Sequence, residues 1–468
     1  MRSLPVDSER LTTAARGQGV ARERPPAGRL RWRNRPQPPR PAVGAWTLAR
    51  HVRLLENGED FFPAVFAAIA KARSEVLIET FILFDDDVGR ELQSVLIAAA
   101  SRGVRVAITT DGYGSPDLPD DFVAALTGAG VDFRYFDPRP RLFGYRTNAL
   151  RRLHRKLVIV DRHHAFVGGI NFSLEHLARY GAKAKQDYAV EVQGPIVEHV
   201  RALALALLEN RRLPRSRPWW RSRAGDPPAG DDGDGIATKL IWRDNDHHRD
   251  DIEIHYRWAI RKARHEIVIA NAYFFPGYRL MRDLRRAARR GVRVLLILQG
   301  RSDQPVASWA ARSLYAQLMR AGVQIYEYCR RPLHGKVAVV DGRWSTVGSS
   351  NLDPSSLSLN LEANLVFDDH ELASDLRRRL QVLVDEHCER IDPGQPPPQP
   401  LWRRLAAYLA FHIIRRVPTW DRWLPQREQG AVPAQPPEPT PEPVTAEQPP
   451  GAADVQSDEP SPPSKCAS

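Results

Sequence analysis

Cysteine is scarce. The three present, Cys329, Cys388 and Cys466, are odd in number and lack metal-type spacing, which argues against a disulfide framework and favours a reducing compartment. Long apolar runs are missing too. Stretches such as Val104 to Thr110 and Val292 to Leu298 suit buried strands and fall far short of a bilayer span. Residues 1–30 mix arginine with glutamate and proline and hold no apolar core of signal-peptide length, so no secretory signal is expected. No carboxylate cluster or Cys/His set accompanies the polar motifs described below, which counts against metal catalysis. The cluster Asp246-His247-His248-Arg249 could ligate a metal but reads as a solvated loop.

What is present begins with length. The 468 residues suffice for two domains, each with its own core. The 39 prolines exceed what folded domains use and gather at the ends, marking disordered segments. A formal charge of +12 with pI near 9.8 attracts anionic partners, either nucleic acid or acidic lipid headgroups. Charge alone does not choose between them.

Along the chain, residues 1–45 read as a disordered basic arm. A first domain over 46–211 alternates helix and strand. Val52-Arg53-Leu54-Leu55 leads through the turn signal Asn57-Gly58 into a helix running to Ala72. Strand Glu75 to Leu83, helix Val88 to Arg102, strand Val104 to Thr110, helix Asp121 to Gly130 and strand Val131 to Phe136 follow. Gly103 is the expected C-cap. Such alternation implies a sheet covered by helices on both faces. Residues 212–236 change composition and read as a linker.

After the linker the pattern restarts over 237–392. Ile260 to Ile269 echoes Ile69 to Ile78, Ala288-Arg289-Arg290-Gly291-Val292 echoes Ala100-Ser101-Arg102-Gly103-Val104, and Ala321-Gly322-Val323 echoes Ala129-Gly130-Val131. Each series ends at a His-x-Lys string: Leu153-His154-Arg155-Lys156 with Asp161, Gly168-Gly169 and Asn171, and Leu333-His334-Gly335-Lys336 with Asp341, Gly348-Ser349 and Asn351. Landmarks repeated in one order argue for duplication. The fold class expected is α/β, with two like domains packed about a pseudo-twofold axis that brings the twin strings together. Residues 393–425 read as a Pro-rich hinge and an amphipathic helix, Leu401 to Pro418. Trp402, Leu405, Leu409, Ile413 and Val417 lie on one side and Arg404, His412, Arg415 and Arg416 toward the other. This suits either a membrane interface or docking on the protein's own core. The tail, 426–468, should be disordered.

The strings carry chemistry. On a strand, residues i and i+2 share a face, so His154 projects with Lys156 and His334 with Lys336. Two ammoniums, two imidazoles and the amides of Asn171 and Asn351 would surround a tetrahedral anion, best matched by phosphate. One histidine can attack phosphorus while the other protonates the leaving oxygen and then activates an incoming hydroxyl. Each ring needs a carboxylate behind it, for which Asp187 and Glu362 are the candidates. On spacing alone, Asp161 and Asp341 at the strand ends read as turn or salt-bridge residues.

Both strings fit His-x-Lys-x4-Asp-x6-Gly-Gly/Ser-x-Asn, so the chain resembles the phospholipase D superfamily. Leu54-Leu55-Glu56-Asn57-Gly58, Asp111-Gly112-Tyr113-Gly114-Ser115, Tyr135-Phe136-Asp137-Pro138, the run Ala270 to Gly277 and the run Val347 to Pro354 are similar to the bacterial cardiolipin synthase branch, B type, over about residues 45–390. The resemblance implies two α/β/α sandwiches sharing one site. It also implies a histidine-linked phosphatidyl intermediate, passage of a phosphatidyl group between two phosphatidylglycerol molecules with release of glycerol, and no metal or cofactor. Family practice gives His154 as nucleophile and His334 as acid/base, though the near-symmetry of the strings assigns neither. The resemblance counts Asp161 and Asp341 with the active-site set. The implied partner is an anionic phospholipid membrane rather than nucleic acid, and the implied location is peripheral, on the cytoplasmic face of the bacterial cell membrane. The competing readings are a hydrolase of the same superfamily acting on phospholipid or nucleic acid, and a non-catalytic binder.

Overall fold

A computed structural model describes residues 43–115, 118–138, 151–211, 213, 235–300, 305–392 and 431–434. The expected helix Leu401–Pro418, nearly all of the basic arm and most of the linker lie outside the described residues.

The first half comprises β1 (Trp46–Ala49), β2 (His51–Glu56), α1 (Asn57–Ala70), β3 (Glu75–Thr80), α2 (Asp87–Ser101), β4 (Arg105–Asp111), α3 (Asp120–Gly128), β5 (Asp132–Phe136), β6 (Leu157–Val160), β7 (His164–Gly168), β8 (Tyr188–Gln193) and α4 (Ile196–Leu208). The second comprises β9 (Ile236–Arg243), α5 (Asp251–Lys262), β10 (Glu266–Asn271), α6 (Tyr278–Arg289), β11 (Arg293–Gln299), α7 (Pro305–Met319), β12 (Gln324–Tyr328), β13 (Lys336–Val340), β14 (Trp344–Gly348), α8 (Pro354–Ser358), β15 (Glu362–Asp368), α9 (His370–His387) and β16 (Cys388–Arg390); β17 (Ala431–Pro433) follows.

The repeated Ala-x-x-Gly-Val landmarks have a common cause. Gly103 and Gly291 take positive φ, +84° and +90°. After each, the valine N–H reaches back to a carbonyl five residues earlier, Val104 to Ala99 and Val292 to Ala287. Both are Schellman caps, and glycine is there because the left-handed conformation strains any side chain with a Cβ. At the other end of α2, Asp86 accepts from the N–H groups of Val88 and Gly89, an N-cap worth about 1 kcal/mol.

Sheet order is β2-β8-β7-β6-β3-β4-β5-β17 in one half and β1-β9-β15-β14-β13-β10-β11-β12-β16 in the other. Both sheets are mixed: β3, β4 and β5 run parallel, as do β10, β11 and β12, and the rest pair antiparallel. On the outer faces Ile78 of β3 shares a core with Leu92 of α2 and Phe122 of α3, and Ile269 of β10 shares one with Leu284 of α6 and Leu318 of α7. The inner faces meet in one shared core, where Val190 and Val167 join Leu365 and Val347 together with Val200 of α4 and Leu376 of α9. Each fully buried aliphatic side chain there contributes about 1.5–3 kcal/mol. The inner layer is therefore common to both halves.

Two strands depart from the expected boundaries. β1, assigned from sequence to the first domain, pairs antiparallel with β9 of the second sheet, while β2, one residue on, pairs with β8 of the first. β17, in the stretch read as a disordered tail, pairs with β5. An open sheet edge offers unpaired N–H and C=O groups that recruit such segments.

Candidate active site

The strand geometry assumed for the motifs needs one correction. β6 starts at Leu157 and β13 at Lys336, so both histidines sit on lead-in segments just before their strands. What holds those segments is the opposite half. Leu153 bridges Leu361 and Leu333 bridges Gln186 in parallel. The His154 N–H donates to Leu361 O at 3.0 Å, and the His334 N–H donates to Gln186 O at 2.7 Å. Behind them, the Asp111 carboxylate accepts from Leu153 N–H at 2.6 Å, and Gln299 Oε1 accepts from Leu333 N–H in the equivalent place.

The orienting carboxylates are crossed between the halves. His154 Nδ1 lies 3.0 Å from Glu362 Oε2 and His334 Nδ1 lies 2.5 Å from Asp187 Oδ2, so each half carries the carboxylate that fixes the other's imidazole. A carboxylate at Nδ1 holds the proton there and leaves Nε2 to the cleft. Lys156 Nζ donates to His154 O at 2.8 Å, and Lys336 Nζ donates to His334 O. Asn171 Oδ1 accepts from Ile82 N–H at 3.2 Å, while its buried Nδ2 has no protein partner. Asn351 Oδ1 accepts from Tyr273 N–H at 3.4 Å.

Asp161 and Asp341 are not part of this constellation. Each sits beyond the far end of its strand with positive φ, +52°. Asp161 accepts from the N–H groups of Arg73, Ser74 and Glu75, and Asp341 from those of Arg264, His265 and Glu266. They pin the start of the neighbouring strand, as the spacing suggests.

Burial sets the electrostatics. It pulls Lys156 down to about 7, against the pull of Glu362, and Lys336 down to about 8, against Asp187 and Glu362. It raises Glu362 to about 7, opposed first by Lys156, and raises Asp187, opposed by Lys336. His154 and His334 are held well below the usual histidine value, first by burial and then by the lysines. A bound anion would favour the protonated form of both lysines.

Sequence reasoning missed the groups that steady the carboxylates. Ser349 Oγ donates to Glu362 at 2.5 Å, and the Ser356 hydroxyl bonds the same carboxylate. In the first half Asp187 accepts from Tyr188 N–H at 2.8 Å and faces the fully buried His176. His176 stands five residues after Asn171 as Ser356 stands five after Asn351, so aligning the two copies would have exposed the pair. One ligand atom from each of His176, Asp187 and His334 lies within 4.8 Å of the others. With His334 Nδ1 committed to Asp187 and the Lys336 and Lys185 charges beside it, this is a hydrogen-bonding cluster rather than a coordination sphere.

Residues 65–203 and 256–384 each match the family model described as cardiolipin synthase, PLD-like domain. The chain belongs to the cardiolipin synthase, PLD-like family. The two matches also establish the internal duplication, since one model fits both halves. Cardiolipin synthase B of Escherichia coli (strain K12) is 50% identical over 393 residues, covering 84% of this chain and 94% of that protein. Cardiolipin synthase B of Salmonella typhimurium (strain LT2) is 51% identical over 398 residues, covering 84% and 95%. Among solved structures, phosphatidylserine synthase of Haemophilus influenzae Rd KW20 superposes with a TM-score of 0.61 at 13% identity over 80% of this chain and 96% of that one, a likeness of fold. Membership of the cardiolipin synthase family therefore rests on sequence, and the shared architecture on sequence and structure together.

Proposed function

We propose that the chain is a cardiolipin synthase, moving a phosphatidyl group from one phosphatidylglycerol to a hydroxyl of a second and releasing glycerol. The observation that carries the reading is the crossed pair, His154 on Glu362 and His334 on Asp187, with both lysines beside them in a protein 50% identical to named cardiolipin synthases.

His154 Nε2 attacks phosphorus, a P–N bond forms, and the P–O bond to glycerol breaks. Imidazolium His334 gives its proton to the departing oxygen. Neutral His334 then takes the proton from the acceptor hydroxyl, whose oxygen displaces His154 from phosphorus. Lys156, Lys336 and the free amide of Asn171 supply the positive charge and donors at the phosphoryl oxygens. Exclusion of water from this buried cleft favours transfer to an alcohol over hydrolysis.

Substrates that live in a bilayer and a formal charge of +12 support a peripheral site on the cytoplasmic face of the bacterial cell membrane. Among the described residues no helix is long and apolar enough to cross a membrane. The interfacial role suggested for Leu401–Pro418 belongs to this proposal.

The test is to incubate the protein with vesicles of labelled phosphatidylglycerol, sediment them and resolve the products. Cardiolipin with free glycerol is expected; phosphatidic acid alone would establish the hydrolase reading instead. Deleting residues 401–418 should move protein from pellet to supernatant, and unchanged sedimentation refutes the interfacial helix.

A further inference from the structure

The orienting groups behind the two catalytic rings are chemically unequal. Glu362 receives two hydroxyls, from Ser349 and Ser356, neither of which takes up a proton. Asp187 instead faces an imidazole. His176 is fully buried, and its ring meets that of His334 edge-on, with centroids 5.6 Å apart at 71°.

Its tautomer is set by its surroundings. Nε2 accepts the Asn171 N–H at 3.3 Å, so the neutral ring carries its hydrogen on Nδ1. That Nδ1 has no hydrogen-bond partner and lies 4.0 Å from Asp187 Oδ2, the same oxygen that His334 Nδ1 engages at 2.5 Å. The other oxygen, Oδ1, is occupied by Tyr188 N–H and pressed by Gly169, where any Cβ would come within 2.3 Å. A buried N–H held just outside bonding distance is a donor waiting for more negative charge on its acceptor.

We propose that His176 is a positioning residue for the acid/base step, with its Nδ1–H closing on Asp187 when His334 becomes imidazolium and so holding the shared proton on His334. The Asp187–His334 pair shares one proton in two arrangements, carboxylic acid with neutral ring or carboxylate with imidazolium, and a second donor on the carboxylate favours the latter. No proton need leave His176. The other charged or titratable groups facing His334 are Lys336, Lys185, Lys156 and His154; those facing His176 are Asp187, Lys185, His334 and Lys336. Of these, Lys156 and Lys336 bond the His154 and His334 carbonyls, and Oδ2 of Asp187 is engaged by His334. The ring that manages protons thus has the extra histidine behind its carboxylate, contributed like Asp187 by the opposite half, which gives a structural reason for unequal roles in a near-symmetric site.

This rests on the transferase reading for its kinetic arm only. The full-length protein is made as H176L, which keeps bulk, and H176N, whose amide nitrogen stands where Nδ1 stood; both lose the acceptor for Asn171 N–H equally. On phosphatidylglycerol vesicles, H176L should lose about 30-fold in kcat with KM within about twofold, and H176N should recover most of that loss. The second arm needs no lipid: imidazole NMR of His334, assigned by its disappearance in H334A, follows protonation against pH. In H176L the midpoint should fall by about one pH unit, a tenfold weaker hold on the proton, with H176N close to the original. Equal losses in H176L and H176N, tracking a common drop in melting temperature with no change of midpoint, would overturn the proposal. A shifted midpoint in a protein that makes no cardiolipin would uphold the positioning role and reject the lipid reading.

Discussion

The two halves reach one constellation with different supporting parts. In the second, Glu362 is long enough to be steadied by the hydroxyl of Ser349. In the first, Asp187 is shorter and its Oδ1 crowds Gly169 so closely that serine at that position would clash. The scaffold fixes where His154 and Lys156 stand relative to His334 and Lys336, because the bridges Leu153–Leu361 and Leu333–Gln186 tie each lead-in segment to the opposite half. What lies behind each ring was free to diverge, and did. Duplication explains the likeness of the halves, and the division of labour proposed above would account for the difference.

That contrast can be broken at its centre first. H154A and H334A should each reduce cardiolipin formation by about 10⁴-fold or more, since nucleophile and acid/base act in series. A variant within tenfold of the parent in the vesicle assay would refute the shared site. A smaller effect separates the two lysines. Their charged forms are lost as pH rises through about 7 for Lys156 and about 8 for Lys336, so kcat/KM should fall on the alkaline side across that window. The limb in kcat should lie higher, because bound phosphate raises both lysines. K156R keeps its charge throughout; it should lose about tenfold at pH 7 yet show a flatter alkaline limb, and an unaltered limb would mean Lys156 is not the group titrating. Least affected should be D161N. It forfeits charge-assisted bonds to the loop before β3, costing about 1–2 kcal/mol on urea unfolding while leaving kcat within about twofold. Backbone N–H bonds depress the Asp161 carboxyl below its usual value of 3.8, so its contribution is complete at neutral pH and fades only as pH falls through that depressed value. A large loss of turnover with unchanged stability would return Asp161 to the catalytic set.

Much of this was legible in the residues. The glycines at 103 and 291, the valines after them and the twin His-x-Lys strings report local backbone demands that a linear chain states directly. Asp187 and Glu362 could be picked out as orienters from their place downstream of each string. Their crossing could not, because it depends on Leu361 and Gln186 forming bridges to the opposite half, a contact between segments far apart in the chain. His176 stayed hidden for a related reason: a lone histidine in Leu174–His176 carries no signal until Asp187 and His334 are folded around it. The aspartates of the strings show the reverse case, where spacing pointed to a turn residue and the resemblance to a catalytic one, and the bonds of Asp161 to Arg73, Ser74 and Glu75 match the spacing.

The pairing of β1 with the second sheet has a consequence for how the molecule is made. Trp46 pairs with Lys239 and Ala49 with Ile236, so β1 finds its partner only after β2 to β8, α4 and the linker have been synthesised. At about 5–20 residues per second, the nascent chain carries this unmatched strand for roughly ten seconds or more. Two neighbouring ribosomes on one message would each display the same orphan strand until β9 arrives.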